Sequence, residues 1–361
     1  MAATFESIIR DLKNKIYHPV YFLHGEEAYF IDKISKYIEE NVLDEGEKEF
    51  NYSVLYGRET DVSTLMSVAR RFPMMANYHV VIVREAQSLK NLFPRKKEDG
   101  GDGDDDNQGP LLTYLDKPQK STILVFCYKY KKIDGRTKLA KTLDKKAVLF
   151  ESKKLYDTNV PAWIQTYASE NKIRISDKAA YLLTRYHGTD LERLAGEIDK
   201  ILLNVKPGEE IQLEHIEKFS GFSKDFNVFE LQKALGMRDA LMAFRIANHM
   251  GKNKKDNPMP LVMGNLYSYF SKILLIHSLS DKSAAGIARG IGVPPFFAQE
   301  YITAARNYPR SRVVHIISII NRYDLASKGV NAASTDEKEL LRELVIRILG
   351  DASVAITREI S

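Results

Sequence analysis

Five short apolar runs, each separated from the next by a stretch of helical periodicity, occupy the first 155 residues, at 20–23, 53–55, 79–83, 122–126 and 147–150. No other feature of the 361-residue chain narrows its fold as much. Strands that alternate with helical segments imply βαβ units, and hence a mostly parallel sheet with helices on its faces. The helical signal is explicit at the start, where Phe5, Ile8, Ile9 and Leu12 share one face.

After residue 155 the pattern changes to helix alone. In the stretch 156–222, Ala179, Leu182, Leu183 and Tyr186 share a face and Gly188 stops that helix. Thr189-Asp190-Leu191-Glu192 then reads as a capping box opening the next one. From 223 to the end, helical segments are expected at 228–250, 261–280, 284–291, 296–307 and 312–327, with a last one from Asp336. Pro258, Pro260, Pro294, Pro295 and Pro309 mark the breaks. The expected architecture is an α/β domain (1–155), a small helical domain (156–222) and a larger helical domain (223–361).

Composition sharpens this. Cys127 is the single cysteine, so no intramolecular disulfide or cysteine-rich zinc site can form, and a reducing cytoplasm fits. No apolar run approaches the ~20 residues of a membrane span, and the first residues lack a signal peptide's pattern. The net charge of +5 hides an asymmetry. Residues 98–106 carry six acids and no base, leaving +11 on the remainder, a moderate excess compatible with a polyanionic partner. The acidic, glycine-rich stretch 96–109 is expected to be an unpacked surface insertion.

Catalytic chemistry is hard to find. The eight histidines never fall three or four apart, and neither HExxH nor GxSxG occurs, so no metal site and no catalytic set is expected. A nucleotide site comes closer. The first strand leads through Gly25 into a helix, where a P-loop would lie. A P-loop needs glycines, a Lys for the phosphates and a Ser/Thr for Mg²⁺. Here the turn reads Gly25-Glu26-Glu27, and two carboxylates face the place of the triphosphate. The third run, His79 to Val83, has the outline of a Walker B strand, yet Arg84 stands where an Asp would hold Mg²⁺, followed by Glu85. Each departure alone is compatible with an ordinary buried strand and loop. Together, at this separation, they describe a P-loop-like sheet without nucleotide chemistry and without a cofactor.

The segment 111–118 with the following strand resembles the helix-turn-strand of AAA+ clamp-loader subunits. The Ser-Arg-Cys motif of the ATPase members is missing, and the residues flanking Arg136 do not match it. The similarity is closer to the delta-subunit family of bacterial DNA polymerase III clamp loaders. It runs through Pro19 to Glu27, Phe72-Pro73-Met74-Met75, Gly188-Thr189-Asp190-Leu191, Phe226 to Leu231, Gly292-Val293-Pro294-Pro295-Phe296 and Lys328. The resemblance implies a degenerate AAA+ domain, a helical lid and a helical collar, in a non-hydrolysing part of the polymerase III holoenzyme. It implies that the chain binds and opens the ring-shaped sliding clamp (beta subunit). The implied partners are clamp-loader ATPase subunits, a delta-prime subunit and primed DNA. The family's clamp-binding pair, more often Leu and Phe, matches Met74 and Met75, with Phe72 and Pro73 just upstream. On pattern alone the same residues read first as ordinary core leading into a buried strand; Arg70, Arg71 and Asn77 point to an exposed turn, and the resemblance moves the balance to the wedge.

Basic residues cluster from 129 to 154. Lys129, Lys131, Lys132 and Arg136 are candidates for phosphate contact, and a solvated, snorkelling face is the alternative. Two other functions stay open: an active AAA+ ATPase, and a stand-alone DNA-binding protein with a steep salt slope. Against the first, no Gly-Lys-Ser/Thr triplet occurs anywhere in the chain.

Overall fold

The computed structural model describes residues 3–92, 109–206, 208–219, 226–255, 257–330 and 336–350, and the core of the acidic stretch, 98–106, lies outside them. The described residues divide into two compact units. The first runs to Val160 and takes in Thr189–Glu192; the second holds Pro161–Gly188 and the residues from Arg193 onward.

In chain order the first unit contains α1 (Phe5–Lys13), β1 (Val20–Gly25), α2 (Ala28–Asn41), α3 (Glu45–Asn51), β2 (Tyr52–Tyr56), α4 (Val62–Ala69), β3 (His79–Arg84), α5 (Pro110–Asp116), β4 (Thr122–Lys129), α6 (Lys138–Lys146) and β5 (Val148–Ser152). All five strands pair in parallel, in the order β2-β3-β4-β1-β5. Every run expected to be a strand is one.

Period-two alternation sorts the side chains onto two cores. Val20, Phe22, Val81, Val83, Leu124 and Phe126 face one side, under Leu65, Met66, Tyr114, Leu139 and Leu143 of α4, α5 and α6. Tyr21, Leu23, Val80, Ile82, Val125 and Cys127 face the other, under Ile8 and Leu12 of α1 and Ile31, Ile34 and Ile38 of α2. The result is the three-layer sandwich that a parallel sheet requires. Helix starts follow local chemistry: Thr4 and Ser7 form a reciprocal capping box on α1, and Asp61 caps α4 by accepting from the Thr64 N–H at 2.8 Å.

The second unit contains α7 (Val160–Glu170), β6 (Arg174–Ile175), α8 (Asp177–His187), α9 (Leu191–Leu202), β7 (Glu210–Ile211), α10 (Leu213–Phe219), α11 (Val228–Met237), α12 (Ala240–Lys252), α13 (Met259–Ser278), α14 (Ala284–Ile291), α15 (Pro295–Asn307), α16 (Arg310–Ser327) and α17 (Glu337–Leu349). The helix expected to end at Gly188 does so, with that glycine at φ +63°. One expected helix, 228–250, is two. Arg238 takes a left-handed φ of +58°, and Asp239 caps α12 through the Met242 N–H. The β6–β7 pair is a further addition. A single core unites α11 to α17, with Leu231, Leu235, Ile246, Leu266, Phe270, Ile316, Ile320 and Leu344 buried.

Candidate functional site

Two places in the first unit carry the residues that the sequence singles out. The first is the carboxyl edge of the parallel sheet, where open α/β folds place their ligands. Gly25 ends β1 at φ +137°, and a Cβ there would lie 2.0 Å from the Ser152 carbonyl oxygen. This glycine is fixed by close packing of β1 on β5.

Two backbone N–H groups of the same turn are already partnered. Gly25 N–H donates to the Lys131 carbonyl at 3.0 Å and Glu27 N–H to the Ser152 carbonyl at 3.3 Å. The Ser152 hydroxyl closes the loop by donating to the Glu27 carbonyl at 2.6 Å. Glu27 is the N-cap of α2, its carboxylate accepting from the Tyr29 N–H at 3.1 Å. Burial pushes the Glu27 carboxyl above its ordinary range. A P-loop directs free N–H groups and a helix N-terminus at phosphate. Here a carboxylate of the chain occupies that position. Glu26 is exposed beside it.

The metal side of the site is filled in the same way. Arg84, at the end of β3, donates to Glu39 at 2.9 Å and to the Ser35 hydroxyl at 3.2 Å, and lies 3.7 Å from Asp32. Lys129, at the end of β4, donates to Asp32 at 2.7 Å. Two cations and two carboxylates thus form one cluster, with Asp32, Ser35 and Glu39 spaced along a single face of α2. Glu85 turns away at φ +51° and pairs with Arg58 at 2.8 Å. Among the described residues no group of three or more His, Cys, Asp or Glu side chains could hold a metal ion.

The four basic candidates do not form one free patch. Lys129 belongs to the cluster just described, Lys132 pairs with Glu151 at 2.9 Å, and Arg136 pairs with Asp134 at 2.8 Å. Each pair holds its carboxyl below the usual range, that of Asp134 down to about 2. Lys131 is exposed and makes no ion pair among the described residues.

The second place is the loop between α4 and β3. Phe72 is 78% exposed, Met74 61%, and Met75 stands wholly in solvent at a left-handed φ of +54°. Pro73 is half-buried. The loop is not slack. The buried side chain of Asn51, at the end of α3, accepts from the Met74 N–H at 2.6 Å and donates to the Met74 carbonyl at 2.8 Å. Beyond the tip, Ala76 and Tyr78 pack onto the core beneath α1 and α2, with Tyr78 edge-on to Tyr17. Of the two readings of Phe72, Met74 and Met75, the geometry excludes core packing. Sequence reasoning missed Asn51, Asp32 and Glu39. The i, i+3, i+7 polar stripe of α2 was a usable signal for the last two, whereas nothing near Asn51 announces a partner 23 residues away.

A parallel three-layer domain with β1 between β4 and β5, and with its carboxyl edge closed by internal charges, has a degenerate AAA+-like fold. A family model described as DNA polymerase III, delta subunit, matches residues 21–153. The DNA polymerase III subunit delta of Bacillus subtilis (strain 168) is 27% identical over 340 residues, covering 93% of this chain and 94% of that protein. The solved structure of the Bacillus subtilis DNA clamp loader delta protein (YqeN) matches with a TM-score of 0.60 at 25% identity, covering 96% of this chain and 99% of that one. Over nearly its whole length the chain is similar to clamp-loader delta subunits of DNA polymerase III, and residues 21–153 match the model of that family.

Proposed function

We propose that the chain grips a ring-shaped sliding clamp through the loop between α4 and β3, with Met74 and Met75 as an apolar wedge that opens the ring. The observation that carries this reading is the solvent exposure of Phe72, Met74 and Met75 on an anchored loop. Three large apolar side chains held out of the core mark an interaction site. Burying two of Met size supplies ~3–6 kcal/mol, about 10²- to 10⁴-fold in affinity, which exposed ion pairs at ~0–1 kcal/mol each would not match. Methionine also adapts its shape to a pocket.

In this reading residues 156–222 and 223–361 act as lid and collar, and the collar joins ATPase subunits and a delta-prime subunit in the cytoplasm around primed DNA. The chain itself neither binds nor hydrolyses ATP, because Glu27, Arg84 and Lys129 occupy the phosphate and metal positions with partners of their own. Lys131 is the residue of the basic cluster best placed to meet DNA phosphate.

The test is binding of the purified chain to its own organism's sliding clamp without ATP, beside Met74→Ala/Met75→Ala, with circular dichroism as the control for folding. Binding by the wild type that falls at least 100-fold in a folded double variant is the expected result. Equal binding by the two proteins would sink the wedge. In parallel, millimolar Mg-ATP should leave the melting temperature of the chain unchanged; a rise would show a working nucleotide site.

A further inference from the structure

We infer that Asn51 is the positioning residue of the clamp-binding loop, an inference that rests on the clamp-binding reading above. Asn51 is 1% exposed and closes α3. Its amide engages both backbone groups of one residue, accepting the Met74 N–H and donating to the Met74 carbonyl. Two hydrogen bonds exchanged with a single residue are what an antiparallel partner strand would provide. Here one side chain provides them, at a point where no strand runs. The second hydrogen of the amide goes to the Glu47 carbonyl at 2.9 Å, so the anchor is itself tied to the body of α3.

The consequence appears at the next residue. Met75 holds a left-handed backbone with its side chain wholly exposed. Non-glycine residues adopt that conformation rarely, and they keep it only where the surroundings determine it. No packing of the Met75 side chain can do so. The constraint therefore enters through the backbone, from Met74 on one side and from Ala76 and Tyr78, which pack on the core, on the other. Side chains of 61% and full exposure are thus presented on a fixed backbone. A wedge held this way has lost its conformational freedom before it meets the clamp, and its affinity is not reduced by ordering the loop on contact.

Alanine lacks both bonds. Aspartate keeps the acceptor for the Met74 N–H and loses the donors to Met74 and Glu47. The experiment compares wild type, Asn51→Ala, Asn51→Asp and Met74→Ala/Met75→Ala. It measures clamp affinity, melting temperature and hydrogen exchange of the Met74 N–H. In wild type the Met74 N–H is expected to be protected although its residue is exposed. In Asn51→Ala its exchange accelerates at least tenfold while amides of β3 and β4 keep their rates. Clamp affinity falls about tenfold, the scale of re-ordering roughly one residue, and Asn51→Asp lies between.

A folded Asn51→Ala that binds like wild type, while the double methionine variant does not bind, overturns the positioning role alone. Normal binding by the double variant overturns the clamp-binding reading, and the positioning role with it. If Asn51→Ala does not fold, the wild-type protein decides: an unprotected Met74 N–H overturns the anchor, and a protected one supports it.

Discussion

Met75 combines a left-handed backbone with a side chain that touches nothing, so the folded chain gains little from its being methionine. Met75→Gly removes the backbone strain and is expected to raise stability by up to about 1 kcal/mol in urea titration, while clamp affinity falls. Cys127 is the opposite case. It lies fully buried in β4, and burial pushes its thiol up to about 11. A disulfide reagent at pH 8 is therefore expected to leave the native protein unmodified and to label it in urea; rapid labelling of the native state would show that the sheet opens. His24 and His79 are both buried, and burial lowers both their pKa values below 6.5. Above pH 6.5 the folded and unfolded chains are alike in charge at these positions. As pH falls through 6.5 the unfolded chain takes up protons that the folded one refuses, so stability declines. Urea midpoints at pH 7.5 and 5.5 should show that loss, and His24→Gln/His79→Gln should reduce it. Legibility at this scale depended on range. Met74 and Met75 stand beside Arg71 and Asn77 and could be read as exposed, whereas Asn51 acts on a residue that folding alone brings near.

The inner strands β1, β3 and β4 were readable because each is apolar on two faces, and that pattern has few other uses. Their carboxyl ends were readable only as departures from a P-loop and a Walker B strand. That Glu27 would cap α2, and that Arg84 and Lys129 would share Asp32, depended on which helix packs against which strand end. In the second unit the helix break at Arg238 escaped notice. A left-handed arginine carries no compositional mark, and the apolar period resumes after it at Ala243 and Ile246. The β6–β7 pair, two residues a side, is shorter than any periodicity can register. Two substitutions test the sheet edge. Gly25→Ala forces a Cβ against the Ser152 carbonyl and should cost about 3 kcal/mol or more. Arg84→Ala leaves Glu39 without its partner and should cost about 1–3 kcal/mol. Denaturant titration of both variants checks this, and a neutral Arg84→Ala would mean that the cluster is ornamental.

The described residues form two units with separate cores, one divided by a five-stranded sheet and one whose main core is packed from helices. Such a chain is expected to depart from two-state melting, with a calorimetric enthalpy above the van't Hoff value; equality of the two would mean that the cores unfold as one. The charge cluster at the sheet edge also limits what this sequence can become. Replacing Arg84 by a metal-binding aspartate would strand Glu39, whose present partner it is, so a first step toward a nucleotide site would be less stable without yet binding nucleotide. The cluster works as a ratchet: every single step toward an ATPase carries a handicap, and selection has no foothold on it.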